Sequence, residues 1–176
     1  VGYLTTFSKL IRTLFNNADK KLISLYDEIE TCKLYLQLES MRFDSKFSYV
    51  IDIDPDIDLK SIEVPALIIQ PFIENAIWHG IIPKSNSGQL SLLIKRKGDL
   101  IEIIVDDDGV GRVEAAHNKS RSNIAHQSKG VNLTKARIEL DNLLRQQEAV
   151  MEVIDKYDSM GSATGTTVII SLKIPE

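Results

Sequence analysis

The stretch Pro65–Gly80, read PALIIQPFIENAIWHG, constrains this chain more than any other. It opens on a short apolar run, Leu67–Ile69, that begins like a strand, and it turns into a helix. Pro71 fits a first helical turn, where its missing N–H costs little. Ile73, Ile77 and Gly80 then recur at near-helical spacing, with Phe72 and Ala76 beside them. Glu74, Asn75, Trp78 and His79 interrupt this apolar pattern. On a regular helix Glu74, Trp78 and Ile81 share one stripe, and Asn75 and His79 the next. Polar groups on a face that its neighbours tend to bury need partners. Either the protein supplies them or a ligand does.

The rest of the chain supplies a sheet for this helix. Tyr3 to Phe15 carries apolar residues every three or four positions, an amphipathic helix ending near Asn16–Asn17. It suits either the body of the domain or a helix of another chain. Ser24 with Asp27 and Glu28 opens a second helix in capping-box style, running to about Phe43. Phe47–Asp54 alternates as a strand, and Gln89–Lys97 and Leu100–Asp106 form a hairpin across Gly98–Asp99. A polar, irregular stretch follows at 112–129, then a helix from Gly130 to about Gln146. Ala149–Tyr157 and Thr166–Ile174 close the chain as a second hairpin. The order predicts an α+β, two-layer sandwich preceded by a helical segment.

Composition narrows the function. The 176 residues carry a net charge of −4, which excludes a dedicated nucleic-acid binder. One cysteine, Cys32, excludes an internal disulfide framework and reads as a small buried hydrophobe. No apolar run reaches the roughly 18 residues of a membrane span, and no signal peptide is legible. The acidic DPDID turn lacks the glycine and terminal Glu of an EF-hand loop. The chain opens on Val1 rather than Met, which fits a piece of something longer.

Three features carry chemistry. Glu74–Asn75 is the first. Asp107–Asp108–Gly109–Val110–Gly111, a strand end followed by alternating glycines, is the second. Gly165–Thr166–Thr167–Val168, entering the last strand, is the third. Glycines after strands let a backbone approach a ligand closely. Asp107 can accept a hydrogen bond from an exocyclic amine such as that of adenine. Asn75 offers a neutral amide oxygen suited to Mg²⁺. Glu74 can orient or deprotonate a nucleophile. The N–H groups near Gly130, at a helix start, suit phosphate oxygens.

In this order the features resemble the ATP-binding catalytic region of LytS-like sensor histidine kinases, of the gyrase, chaperone, histidine kinase and MutL superfamily. QPFIENAIWHG resembles the N box, DDDGVGR the first glycine box, KGVNLTKARIEL the second and TGTTVIISLKIP the last. LYDEIETCKLYLQLESMRF resembles the stretch between phosphoacceptor region and ATPase. The likeness covers roughly residues 20–176. It implies the Bergerat ATPase fold over 46–176, with residues 1–45 as the tail of the dimerisation region and linker. It implies ATP and Mg²⁺ as ligands, with Asn75 on the metal, Glu74 assisting phosphoryl transfer and Asp107 reading the adenine amine. Gly109 and Gly111 would line base and lid hinge, His79 would sit against adenine, and Thr166 would back the pocket. Residues 112–129 would be the lid, with Arg112, Lys119, Arg121 and Lys129 facing a triphosphate and Gly130 at its far end. The partners implied are a response regulator and a second copy joined through the N-terminal helices. The expected location is the cytoplasmic side of an inner-membrane sensor.

Three departures stand against the pattern. The position three after Asn75, often basic in the family, is Trp78, so Lys129 or Arg112 would have to compensate. The second glycine box keeps only Gly130 after Ser128–Lys129. None of His79, His117 and His126 has the context of the family's acceptor histidine, which is expected upstream. The alternative is a degenerate ATPase-fold module that relays signals and dimerises without catalysis.

Overall fold

The computed structural model describes residues 2–43, 46–112, 114–115, 128–145 and 148–173. Helix α1 spans Gly2–Ala18 and α2 spans Leu25–Arg42. They pack on each other, with Thr6, Leu10 and Asn17 buried on α1 and Leu4, Phe7 and Phe15 left exposed. Ser24 caps α2 as its sequence predicts, its hydroxyl accepting from the Asp27 N–H at 3.1 Å. Ser24→Ala is expected to cost about 1 kcal/mol in urea unfolding.

The main sheet has the order β2-β4-β5-β7-β6. Its strands are β2 (Phe47–Ile53), β4 (Gly88–Lys97), β5 (Leu100–Asp107), β6 (Val150–Tyr157) and β7 (Ala163–Lys173). β2 and β4 run parallel, and every other pair is antiparallel. A parallel pair needs a crossover. Here the crossover contains the short helix α3 (Gln70–Asn75) and its continuation Ala76–Ile81. Helix α4 (Ser128–Arg145) lies between β5 and β6 in the chain. The core sits on one face of the sheet. Leu92, Ile94, Ile103 and Ile170 meet Ile29 and Leu36 of α2 and Ile73, Ile77 and Ile81 of the crossover. The inward face of α2 is thus part of the same core as the sheet.

Several expectations need correcting in detail. Leu67–Ile69 is not a strand. The strand of that region is β3 (Glu63–Pro65), which pairs antiparallel with β1 (Leu22–Ser24) in a separate ribbon. Three-residue strands carry no readable period, which is why neither was foreseen. Residues 76–81 are π-helical rather than α-helical, with the Ile82 N–H reaching the Ile77 carbonyl at 2.9 Å. Helix α4 begins at Ser128, and β7 begins at Ala163, earlier than Thr166, across a register shift at Lys156/Tyr157. Of the expected lid, Arg112 and Glu114–Ala115 are helical, as is Gly111 just before it. Residues 116–127, with His117, Lys119, Arg121 and His126, lie outside the described residues, as does Ile174.

Candidate functional site

The site is built where the π-helical segment meets the end of β5. Strand β5 alternates, with Ile101, Ile103, Val105 and Asp107 all turned to the core. Asp107 is therefore a carboxylate at the last inward position of a central strand, 5% exposed. Burial pushes its pKa up to about 6, opposed by hydrogen bonds from the Gly109 and Thr166 backbone and by the Lys156 charge. The Gly109 N–H donates to Asp107 Oδ1 at 2.8 Å. Thr166 stands directly across from Asp107 on β7, so both belong to one row of the sheet.

Glycines make this arrangement possible. The Gly80 carbonyl accepts the Val110 N–H at 2.9 Å, which seats the end of the helix on the turn. A Cβ on Gly80 would lie 2.8 Å from Asp107 Oδ1, and one on Gly109 would overlap the Gly80 backbone. Gly111 has φ +79, and a Cβ there would press on Ala163 at 2.7 Å. The helix that carries Glu74 and Asn75 is thus held against the glycine turn through Gly80. The π turn is consistent with that seat, since an inserted residue re-aims a helix locally and such bulges recur at functional sites.

Glu74 takes a different direction. Its Oε1 accepts from Gln70 Nε2 at 2.9 Å, and its charge is felt by Cys32, Tyr35 and Glu39 of α2. Trp78 lies on the same flank. Its indole N–H donates to Tyr35 Oη at 3.1 Å, Phe43 meets it edge-on at 5.2 Å, and the Arg42 guanidinium lies 4.9 Å from its ring centroid. The departure at Trp78 therefore has a structural use: the indole fastens the helix to α2. Asn75 and His79 are half-buried on the crossover helix, each with a polar or electrostatic interaction of its own. Arg112 is held in a bidentate pair with Asp155, both contacts 2.6 Å, so its charge is already matched. Lys129 and Gly130 lie in the first turn of α4.

A cavity of about 830 Å³ opens on the β6–β7 side of the turn, where Lys84, Asp108, Gly109, Tyr157 and Ala163 line it. Glu74, Asn75, His79 and Asp107 are not among its lining residues. The structure thus brings Asp107, Gly109, Gly111 and Thr166 together with Gly80, and sets Glu74 on the α2 side. Gly80 and Asp155 escaped the sequence reading as site residues. A glycine inside a helical pattern was the available signal for the first, and nothing local pointed to the second.

Comparison with known proteins finds sensor histidine kinases. A family model described as histidine kinase matches residues 2–47. The sensor histidine kinase YpdA of Escherichia coli K12 is 33% identical over 104 residues, 59% of this chain and 18% of that protein. The sensor protein LytS of Oceanobacillus iheyensis is 31% identical over 108 residues, 61% of this chain and 18% of that protein. Over this part of its length the chain is similar to LytS-like sensor histidine kinases. It spans about a fifth of the length of these two relatives, at 18% of each. Among solved structures, the mycobacterial sensor histidine kinase MprB aligns with a TM-score of 0.57 at 13% identity, over 88% of this chain and 98% of that one. The histidine kinase domain of the Erythrobacter litoralis blue-light-activated kinase aligns at 0.55 and 17%, over 98% and 75%. These two speak to the fold, a helix-and-sheet sandwich of the histidine kinase ATPase type. Catalytic domains of this family use ATP. Among the described residues no helix is long and apolar enough to cross a membrane.

Proposed function

We propose that this chain is the ATP-binding catalytic segment of a two-component sensor histidine kinase. The γ-phosphoryl of ATP passes to a histidine outside these residues and from there to a response regulator. The observation that carries this reading is the buried Asp107 carboxylate, framed by Gly80, Gly109 and Gly165 where no side chain can intrude. The reading assigns this carboxylate the exocyclic amine of a purine base, its acceptor oxygens selecting for an amine. The residues also suit Mg²⁺: an amide oxygen at Asn75 is a hard, neutral donor that leaves the remaining coordination to phosphates and water. When bound, the metal screens the charge of the phosphates.

The chain's own part is positioning. Asp107 orients the base, the glycine turn lets the backbone approach it, and the helix start at Ser128–Gly130 offers N–H groups to phosphate oxygens. Glu74 is assigned the orientation of the incoming nucleophile, and His79 and Thr166 the walls of the pocket. Arg112 reaches a phosphate only by releasing Asp155. Residues 1–45 are assigned the tail of the dimerisation region and 46–176 the catalytic unit, a boundary of roles, since α2 shares the core of the sheet. We assign dimerisation to the N-terminal helices and the cytoplasmic side of a membrane sensor as the location.

Titration of ATP into the chain, with and without Mg²⁺, tests the reading. Saturable binding that Mg²⁺ strengthens is expected, and Asn75→Ala should remove about tenfold of that binding while leaving the metal-free part unchanged. No saturable binding would sink the proposal and favour a non-catalytic relay module.

A further inference from the structure

Glu28 was legible only as an acid in the first turn of α2, where it complements the helix dipole. The structure uses it otherwise. It is 1% exposed, and its two carboxylate oxygens point out of α2 toward the approach to α3. Oε2 accepts the Leu67 N–H at 3.0 Å and Oε1 accepts the Ile69 N–H at 2.9 Å. Leu67 has φ +60, a left-handed conformation that a non-glycine residue adopts at a cost. The turn therefore requires a restraint, and a carboxylate with two acceptors facing two N–H donors is a fitting one. The same turn is tied from a third side, where Arg137 of α4 donates to the Ala66 carbonyl at 2.9 Å. The helix that begins at this turn carries Glu74 and Asn75 and ends on Gly80 against Asp107.

We propose that Glu28 is a positioning residue for the ATP-site helix: it locks the Leu67 turn in its left-handed form and so sets where Asn75 stands relative to Asp107. The proposal rests on the ATP reading for its functional consequence, but not for its structural one. It makes α2 a lever on the site. A shift of α2 moves the start of the site helix through Glu28 and its far end through the Tyr35–Trp78 hydrogen bond.

Trp78 is the only tryptophan of the chain and sits on that helix, so its emission reports the position of the helix directly. Glutamine at position 28 keeps the size but offers one acceptor where two N–H groups need one each. Glu28→Gln is expected to move Trp78 emission to longer wavelength and weaken ATP binding in Mg²⁺ about tenfold, in a chain that still unfolds cooperatively in urea. Adding Leu67→Gly, which tolerates the positive φ without restraint, should recover most of both effects. An unchanged emission and affinity in Glu28→Gln, or a double variant no better than the single one, would overturn the proposal. If Glu28→Gln does not fold, the double variant decides: it folds if Glu28 acts through this turn, and its failure overturns the idea. Lack of ATP binding by the unmodified chain would count against the ATP reading alone, and the emission of Trp78 would still test Glu28.

Discussion

Asp107→Asn is expected to weaken ATP binding by roughly thirty- to hundredfold, an effect of about 2–3 kcal/mol. The reason is a count of acceptors. Oδ1 of Asp107 already accepts the Gly109 N–H. The Thr166 backbone also bonds the carboxylate, and an adenine amine needs the acceptor capacity that remains. Asparagine has a single acceptor, so either flip sets its NH₂ against one of two donors. The pH dependence has a definite sign. Binding needs the ionised carboxylate, and burial raises its pKa to about 6. Affinity should therefore be flat above pH 7 and fall about tenfold per unit well below 6. Stability moves the other way. The folded-state pKa lies above the ordinary 3.8, so the folded chain binds the proton more tightly. Stability from this group is greatest below about pH 4 and declines as pH rises to about 6, by about 3 kcal/mol, then stays constant. Calorimetric titration and urea unfolding across pH 4–8 check both slopes. An affinity indifferent to pH between 5 and 7, or an unaffected Asn variant, would remove Asp107 from the site.

The larger structural effect is expected at Gly165. Its φ is +128, and a Cβ there would overlap the Asp107 carbonyl oxygen and approach the Asp108 Cα to 2.9 Å. These are backbone atoms at the end of a paired strand and in the turn that leaves it, so neither can swing aside as a side chain would. Gly165→Ala should destabilise the chain by about 3–5 kcal/mol, the range reserved for strain and overpacking in a core. Gly98 is the control. It also has a positive φ, +66, but nothing lies within 4 Å of a Cβ there. Gly98→Ala should cost about 1 kcal/mol, the backbone share alone. Urea midpoints of the two variants measure the difference. Equal losses would mean that the close approach of β7 to the Asp107 turn contributes nothing.

What was legible in the sequence depended on whether a signal was local. The capping of α2 by Ser24 needed only Asp27 three residues on, and it holds at 3.1 Å. The hairpin at Gly98–Asp99 and the inward alternation of β5 followed from a period of two. The π-helical turn did not, because a single inserted hydrogen bond leaves an apolar pattern looking α-helical. The flank chosen by Glu74 was half legible: its stripe with Trp78 is real, but only Tyr35, Glu39 and Arg42 of α2 define what that stripe meets. Glu28 and Asp155 were not legible as partners of Leu67 and Arg112, each some forty residues distant in the chain.

The sequence by itself determined the family likeness, the strand-and-helix order and the identity of the candidate site groups, because these depend on residue type and short-range spacing. Tertiary structure decided which of those groups meet. Asp107 is a buried, proton-hungry acceptor only because β5 ends beneath Gly80, and Arg112 is a neutralised cation only because β6 brings Asp155 beside it. Burial and charge pairing are properties of a place, and that place exists only once distant segments have packed.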